Sequence, residues 1–228
     1  MLSRLKRYNR EQTMGAWKNA VRTESLSLCE KYRPMKIADF VGLAKPKLLL
    51  QKLAVSPNCR ALLFEGKSGS GKTAMALAFA AEIPAEVHLL PANECTRENL
   101  SGLWVRCQGY PLPGFRKHLV LVDQADTLRM PQQLDLRSYI DGPSALDHVL
   151  WVFTGVPSDR LEDGFRSRCL QLEFSTYGNS KAAAELLERV WQAEVPNAPP
   201  PNFARLIKEA NGNILAALQQ MELKLMAV

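Results

Sequence analysis

A glycine-rich segment between an apolar run and a helix-forming run constrains the fold of this chain more than any other feature. Residues 66–73 read G-K-S-G-S-G-K-T, which matches the pattern G-x-x-x-x-G-K-[ST]. The apolar residues 61–64 before it predict a buried strand, and residues 72–82 predict a helix. A strand, a glycine-rich turn and a helix in this order are typical of an α/β fold in which the turn binds phosphate.

Each part of this loop has a chemical role in binding a nucleotide. Glycines let backbone N–H groups turn toward the phosphates, and the helix N-terminus adds a partial positive charge. Lys72 is expected to reach the β- and γ-phosphates, and Thr73 to coordinate Mg²⁺. The loop therefore predicts a site for ATP and Mg²⁺, and its predicted binding residues are Gly66, Ser68, Gly69, Ser70, Gly71, Lys72 and Thr73.

Short apolar runs alternate with helix-like segments through the middle of the chain. The runs lie at residues 61–64, 86–90, 118–122, 149–153 and 170–174. Five buried strands with helical crossovers predict an α/β fold, namely a parallel five-stranded sheet with helices on both faces. After the last strand the pattern is helical, which predicts a small helical lid domain. We expect a basic helical extension over residues 1–28, an ATP-binding α/β domain over 29–176 and the lid over 177–228.

Composition excludes several classes of protein. The 228 residues are 46% hydrophobic and 23% charged, as in an ordinary globular protein, and no apolar run is long enough to span a membrane. Five scattered cysteines without a C-x-x-C pair predict neither a disulfide framework nor a zinc knuckle. The three histidines show no ligand spacing and are expected to be structural. Because no secretion signal is visible, we expect a cytoplasmic protein without membrane contact.

Positive charge is concentrated near the N-terminus. Residues 1–24 contain six Lys or Arg and two Glu, so +4 of the formal net charge of +6 lies there. Such a segment either binds nucleic acid through its phosphates or is a solvated helix face, and both interpretations stay open. Arg106, Arg116 and Lys117 lie among aromatic residues in a predicted loop and are weaker candidates for contact with DNA.

The apolar run at residues 118–122 is followed by the carboxylate that a bound Mg²⁺ requires. This residue is Asp123, which we expect to hold the ion directly or through water. The next residue is Gln124, where ATPases with this pattern usually have a glutamate that polarises the attacking water, and an amide cannot act as that base. Either the chain is a weak ATPase, or a glutamate has been replaced so that ATP is retained, and the ordinary pattern V-D-E-A-D slightly favours replacement.

Together these motifs resemble the AAA+ ATPases, and within them the clamp-loader branch. Residues 31–34 read K-Y-R-P and are followed by V-G, similar to the family segment that lies against the adenine. The resemblance implies nucleotide contacts from Tyr32, Arg33, Pro34, Val41 and Gly42. Residues 132–140 are similar to the family segment Q-x-x-L-R that follows the metal-binding strand.

The resemblance also implies residues that act on the γ-phosphate. Thr154 closes the fourth strand at the position called sensor 1, which holds the attacking water or the γ-phosphate. Residues 167–169 read S-R-C, and in the family this arginine, here Arg168, enters the ATP site of the neighbouring subunit; Arg166 is a local competitor. A guanidinium supplied in trans makes hydrolysis depend on assembly. The predicted catalytic residues are Lys72, Asp123, Gln124, Thr154 and Arg168.

Two departures limit the resemblance. Residues 212–215 read G-N-I-L where the family has G-D-x-R, so Leu215 replaces the sensor 2 arginine. The sequence also ends at Val228, before the collar domain that holds clamp-loader subunits in a ring. We expect either a truncated chain or a short relative that assembles through its AAA+ interfaces and residues 1–28.

The function implied by the resemblance is that of a homo- or hetero-oligomer that uses ATP to load or remodel a protein on DNA. A sliding clamp or a helicase would be its protein partner. The alternative is a nucleotide-gated scaffold or regulator, of transposition or defence type, with weak ATPase activity. A P-loop kinase for a small molecule would leave K-Y-R-P and S-R-C unexplained.

Overall fold

The computed structural model describes residues 27–56, 59–175 and 180–226. Residues 1–26 hold nearly all of the predicted basic extension and lie outside the described residues, so its helix and its contact with DNA stay predictions. Within the described ranges, none of the helices has the length and apolarity that crossing a bilayer requires.

Five parallel strands form the sheet in the order β2-β3-β4-β1-β5. The strands are β1 (Ala61–Gly66), β2 (Ala85–Pro91), β3 (Lys117–Asp123), β4 (Val149–Gly155) and β5 (Leu170–Phe174). Each predicted apolar run lies within one of them. The parallel five-stranded sheet predicted from the sequence is therefore confirmed.

Helices connect the strands and form the last part of the chain. They are α1 (Leu28–Lys31), α2 (Ala44–Val55), α3 (Lys72–Glu82), α4 (Arg97–Cys107), α5 (Met130–Ile140), α6 (Asp163–Arg166), α7 (Ser180–Glu194), α8 (Phe203–Glu209) and α9 (Ile214–Leu225). Polar side chains precede several helices, because their oxygen atoms accept hydrogen bonds from backbone N–H groups that have no partner within the helix. Asn202 accepts from Arg205 N before α8, and Asn213 accepts from Ala216 N before α9.

The sheet is buried on both faces, which explains why its strands read as continuous apolar runs. Along β1, Leu62 and Phe64 belong to the core that α2 and α3 complete. Leu63 points to the other face and joins the core beneath α4, α5 and α6. The prediction of helices on both faces is confirmed.

A third apolar core lies within the helical part. It combines side chains of α7, α8 and α9 with Leu28 of α1, and Tyr32 and Val41 pack against it. The Tyr32 hydroxyl donates to Glu194 at the end of α7 over 2.6 Å, and Lys31 forms an ion pair with the same carboxylate at 2.7 Å. The segment before the sheet therefore contacts the lid helices, while the domain boundaries at residues 28/29 and 176/177 stay predictions.

The strand order determines which residues meet at the carboxyl edge of the sheet. Strand β4 lies between β1 and β3, and Thr154 on β4 pairs in register with Phe64 on β1. On its other side, Phe153 pairs with Val122, the residue before Asp123. Thr154 is therefore held between the loop that follows β1 and the end of β3, at the edge where open α/β sheets bind ligands.

Candidate nucleotide-binding site

A cleft of about 730 Å³ lies between the carboxyl edge of the sheet and the lid helices. This volume falls within the range of about 300–1,000 Å³ that is usual for ligand pockets. The predicted site residues that line it are Tyr32, Arg33, Pro34, Val41, Ser68, Gly69, Ser70, Gly71, Lys72, Thr73, Asp123, Gln124 and Thr154. The structure places Gly42, Gly66 and Arg168 outside the cleft.

The backbone of the glycine-rich loop adopts the conformation that its glycines permit. Gly69 has φ +74° and Gly71 has φ +90°, in the left-handed region that other residues rarely adopt. A Cβ on Gly66 would lie 2.4 Å from the carbonyl oxygen of Phe174 on β5. Gly66 therefore permits close packing against β5, whereas the other two glycines shape the loop itself.

The loop ends at the N-terminus of α3, where Lys72 is the first helical residue. Its Nζ donates to the carbonyl oxygens of Gly66 at 2.7 Å and Lys67 at 2.8 Å. Burial lowers the pKa of Lys72, while the carboxylates of Asp123 and Asp126 act in the opposite direction. The ammonium group thus lies in a partly desolvated cleft, where its attraction to an anion is stronger than in water.

Two hydroxyl side chains from separate parts of the chain meet at Asp123. The Thr73 hydroxyl, from the first turn of α3, donates to Asp123 Oδ1 over 3.0 Å. The buried Thr154 hydroxyl donates to the same oxygen. Hydroxyl and carboxylate oxygens are the hard ligands that Mg²⁺ prefers. The two predicted metal ligands, Thr73 and Asp123, are therefore adjacent, and the predicted sensor 1 residue shares their carboxylate.

An unsatisfied polar atom in the loop fits a bound phosphate. Ser70 Oγ is buried, and it has no hydrogen-bond partner in the ranges that the structure describes. Buried hydroxyl groups normally have one. With the helix N-terminus and Lys72 beside it, this hydroxyl is suited to donate to a phosphate oxygen. The residues present therefore fit ATP with Mg²⁺.

Part of the cleft lining is apolar. Tyr32, Val41, Leu186, Ile214 and Leu218 line it. Burial, followed by the hydrogen bond to Glu194, raises the pKa of Tyr32 to about 12, so its ring stays neutral. A lining that combines apolar side chains with a cationic loop matches the two parts of a nucleotide, a planar base and charged phosphates.

Sequence reasoning missed three polar residues of this site. Asp126 lines the cleft and accepts from Val156 N at 3.0 Å. Arg189 of α7 is exposed, lines the cleft, and has no ion pair or hydrogen bond within the described parts of the chain. Asn213 Nδ2 donates to the Ser68 carbonyl at 3.0 Å, which links the start of α9 to the loop. The helical period places Arg189 beside Leu186 and Val190 on one face, but it cannot show what that face covers.

Gln124 lies at the end of β3 in an unusual backbone conformation. Its φ is +59°, which is uncommon for a residue other than glycine. The Gln124 carbonyl accepts from both N and Oγ1 of Thr127, while the exposed side chain lines the cleft. An amide therefore occupies the position at which the sequence pattern leads us to expect a catalytic carboxylate.

Two neighbouring arginines have different surroundings. Arg166 makes two hydrogen bonds to the Glu65 carboxylate of β1, at 2.7 and 2.8 Å, and the Glu65 side chain is 11% exposed. Arg168 pairs with Asp141 at 2.7 Å, and the Asp141 side chain is 44% exposed. The two arginines are similarly exposed, at 25% and 29%, and Arg168 also donates to the Gly164 carbonyl. They differ in their partners, because the carboxylate that binds Arg166 is nearly buried and the one that binds Arg168 is open to solvent.

The fold and the site resemble those of P-loop proteins of the AAA+ class. No family model matches the chain. It is 27% identical over 201 residues to replication factor C subunit 2 of Arabidopsis thaliana, covering 85% of this chain and 60% of that protein. It is 25% identical over 199 residues to the replication factor C small subunit of Halobacterium salinarum, covering 85% of this chain and 61% of that protein.

The RuvB Holliday junction branch migration motor of Thermotoga maritima has a similar fold. Its TM-score is 0.64 at 20% identity, over 82% of this chain and 63% of that one. In sequence the chain is therefore similar to clamp-loader subunits, and in fold it is similar to RuvB. It spans about 60% of the length of the replication factor C relatives that it matches.

Proposed function

We propose that the cleft binds ATP with Mg²⁺ and that the chain is a nucleotide-switched subunit of an oligomer that loads or remodels a protein on DNA. The convergence at Asp123 carries this proposal. Thr73 and Thr154 both donate to one oxygen of its carboxylate, beside the glycine-rich loop. Metal ligands and a polar strand-end residue at such a loop are the groups that phosphoryl transfer requires.

The residues divide the cleft into two functional parts. Lys72, Ser70 and the loop N–H groups bind the phosphates through charge and hydrogen bonds. Thr73 and Asp123 hold Mg²⁺, which when bound neutralises phosphate charge. Tyr32 and Val41 provide an apolar surface for the base.

Gln124 makes the ATP-bound state long-lived. Its amide can orient a water molecule but cannot accept the proton of that water. Thr154 is positioned by the hydrogen bond that its hydroxyl donates to Asp123, and its oxygen can still accept a hydrogen bond. Binding therefore proceeds normally, and hydrolysis is slow.

Arg168 acts on the nucleotide of a neighbouring subunit. It lies outside the cleft of its own chain, and its partner Asp141 is half exposed, so a modest free energy releases it. In systems that supply such an arginine in trans, it contributes about 10³–10⁵ in rate. Hydrolysis thus depends on assembly.

Arg189 provides the lid with a cation for the nucleotide. Leu215, at the position of the sensor 2 arginine, lines the cleft but cannot bind a phosphate. Arg189 lines the same cleft from α7, two helices earlier in the chain. Attraction between this guanidinium and the phosphates couples lid position to nucleotide binding.

Contact with DNA is assigned to two basic regions, which are residues 1–24 and the surface that carries Arg106, Arg116 and Lys117. Arg106 and Arg116 are exposed. A sliding clamp is the proposed protein partner because the relatives are named as subunits of replication factor C, and a helicase is the second choice.

Two features favour the alternative of a nucleotide-gated scaffold. Gln124 slows hydrolysis, and Leu215 removes one link between lid and phosphate. In this alternative, the ATP-bound polymer itself is the functional state.

The mass of the parent chain in solution, with ATP, with ADP and without nucleotide, each with and without duplex DNA, tests the proposal. A loader forms a closed oligomer with ATP, binds DNA, and dissociates when Gln124→Glu restores hydrolysis. A scaffold forms assemblies that grow along DNA and persist with Gln124→Glu. A chain that stays monomeric with ATP and DNA contradicts both.

A further inference from the structure

All three histidines of the chain converge at the opposite edge of the sheet from the nucleotide cleft. His88 Nε2 and His118 Nδ1 are 3.0 Å apart. The Cys107 Sγ atom joins them, and the three atoms lie within 4.8 Å of one another. His148 is adjacent, with its Nε2 at 2.6 Å from the Cys107 carbonyl oxygen. The sequence spacing gives no sign of this cluster.

Strand register explains the convergence. Glu86 and His88 are two residues apart on β2, so their side chains share one face of the sheet. His118 on β3 pairs in register with Glu86 and points to the same face. Cys107 is the last residue of α4, the helix that packs on this face. Two strands and a helix end therefore bring together two imidazoles, a thiol and a carboxylate.

We propose that His88, Cys107 and His118 bind a zinc ion. Two imidazole nitrogens and a sulfur are donors that zinc accepts in its protein sites. Because Zn–N bonds are about 2.0–2.1 Å and Zn–S bonds about 2.3 Å, tetrahedral ligand atoms are about 3.3–3.6 Å apart. The histidine nitrogens, at 3.0 Å, are close to this spacing, and the Cys107 sulfur lies within 4.8 Å of both. The Glu86 carboxylate, 3.7 Å from His118 Nδ1, lies beside these three groups and is not one of the ligands.

The surroundings orient these groups as ligands. His118 Nε2 donates to the Gly109 carbonyl at 3.0 Å, so Nδ1 carries the lone pair that faces His88. Such a bond from the second ring nitrogen orients most metal-binding histidines. Glu86 Oε2 accepts from Leu112 N at 2.9 Å, which fixes the carboxylate beside the ligands.

Zinc would displace the thiol proton of Cys107, because the thiolate is the form that binds a metal. Cys107 and His118 are each 2% exposed, and an ion there would be shielded from solvent.

A zinc ion at this position would brace the loop that follows α4. Gly109 and Leu112 of this loop already bond to His118 and Glu86. Arg106 lies in the last turn of the same helix, and Arg116 ends the same connection. The site is structural, and it stabilises the segment that carries these basic side chains independently of the nucleotide cleft.

Zinc content and cobalt substitution test the site in the whole chain. We expect one zinc per chain after purification with zinc and removal of loosely bound metal, and a thiolate-to-cobalt absorption band after replacement by Co²⁺. Cys107→Ser and His88→Gln should each lower the zinc content to below about one tenth of the parent value, and Cys107→Ser should abolish the band. Cys95→Ser is the matched control, because Cys95 is 1% exposed in the same core and lies outside the cluster.

A measurement on the unmodified chain covers the case in which a variant does not fold. A strong chelator should lower the melting temperature of the parent, and Zn²⁺ but not Mg²⁺ should restore it, because a ligand of the native state stabilises it. If the parent chain contains no zinc and gives no cobalt band, His88 and His118 form only a hydrogen-bonded pair and the proposal is wrong. A band that survives in Cys107→Ser would equally overturn the site.

Discussion

The two arginines after the fourth strand should respond differently to truncation. We predict that Arg166→Ala destabilises the fold, whereas Arg168→Ala leaves stability nearly unchanged and abolishes ATP-dependent assembly. The reason lies in their partners. Removal of Arg166 leaves the Glu65 carboxylate, whose side chain is 11% exposed, without its ion pair. Removal of Arg168 leaves Asp141, whose side chain is 44% exposed and can be solvated by water.

The expected magnitudes differ several-fold. Breaking a buried ion pair from one side costs about 3–5 kcal/mol, and because the Arg166 side chain is 25% exposed we take the lower end, about 3 kcal/mol. A half-exposed pair such as Arg168–Asp141 is worth about 0–1 kcal/mol. For a chain of this size, about 2–4 °C in melting temperature corresponds to 1 kcal/mol. Arg166→Ala should therefore lower the melting temperature by about 6–12 °C, and Arg168→Ala by less than about 4 °C.

Thermal unfolding and mass in solution with ATP measure the two effects separately. A double change, Glu65→Leu with Arg166→Met, should recover much of the lost stability because no unpaired charge remains buried. Hydrolysis is measured in a Gln124→Glu background. If Arg168→Ala assembles with ATP and hydrolyses it like its parent, or if it loses as much stability as Arg166→Ala, the assignment of the trans-acting arginine is wrong.

Three further changes test other parts of the site. Gln124→Glu should raise hydrolysis in the assembled state by restoring a carboxylate, with ATP affinity unchanged; flat turnover with DNA present would favour the scaffold. Asn213→Ala and Asn202→Ala should each cost about 1 kcal/mol as lost helix caps, but only Asn213→Ala should also weaken ATP binding, about five-fold by calorimetry, because its amide bonds to the loop. Lys31 lowers the pKa of Glu194, so this contact stabilises the fold at neutral pH and its contribution is lost as the pH falls below about 4.5; Glu194→Gln should flatten that part of the pH dependence of melting.

The fold was predictable because its local patterns agree with its tertiary structure. Strands covered on both faces have to be apolar throughout, so the runs at residues 61–64 and 118–122 identify strands directly. The glycine-rich loop has a chemistry that needs its particular residue types, which identified Lys72 and Thr73 as site residues.

What could not be predicted depends on which strands lie side by side and on partners distant in sequence. The position of β4 between β1 and β3 brings Thr154 to Asp123, and no local pattern states that order. Arg166 forms an ion pair with Glu65, a residue distant in sequence, and this pair distinguishes it from Arg168 two residues later. The cluster of His88, Cys107 and His118 likewise requires the register of β2 with β3.

Calorimetric titration with ATP and Mg²⁺ tests the central claim, that the cleft is a nucleotide site, most directly. Lys72 is partly buried against the loop carbonyls and is expected to bind the phosphates, whereas Lys67, five residues earlier in the same loop, has an exposed side chain. We predict one ATP per parent chain, loss of binding in Lys72→Ala and nearly unchanged affinity in Lys67→Ala. Equal affinity in Lys72→Ala and the parent, with both folded, would contradict the account.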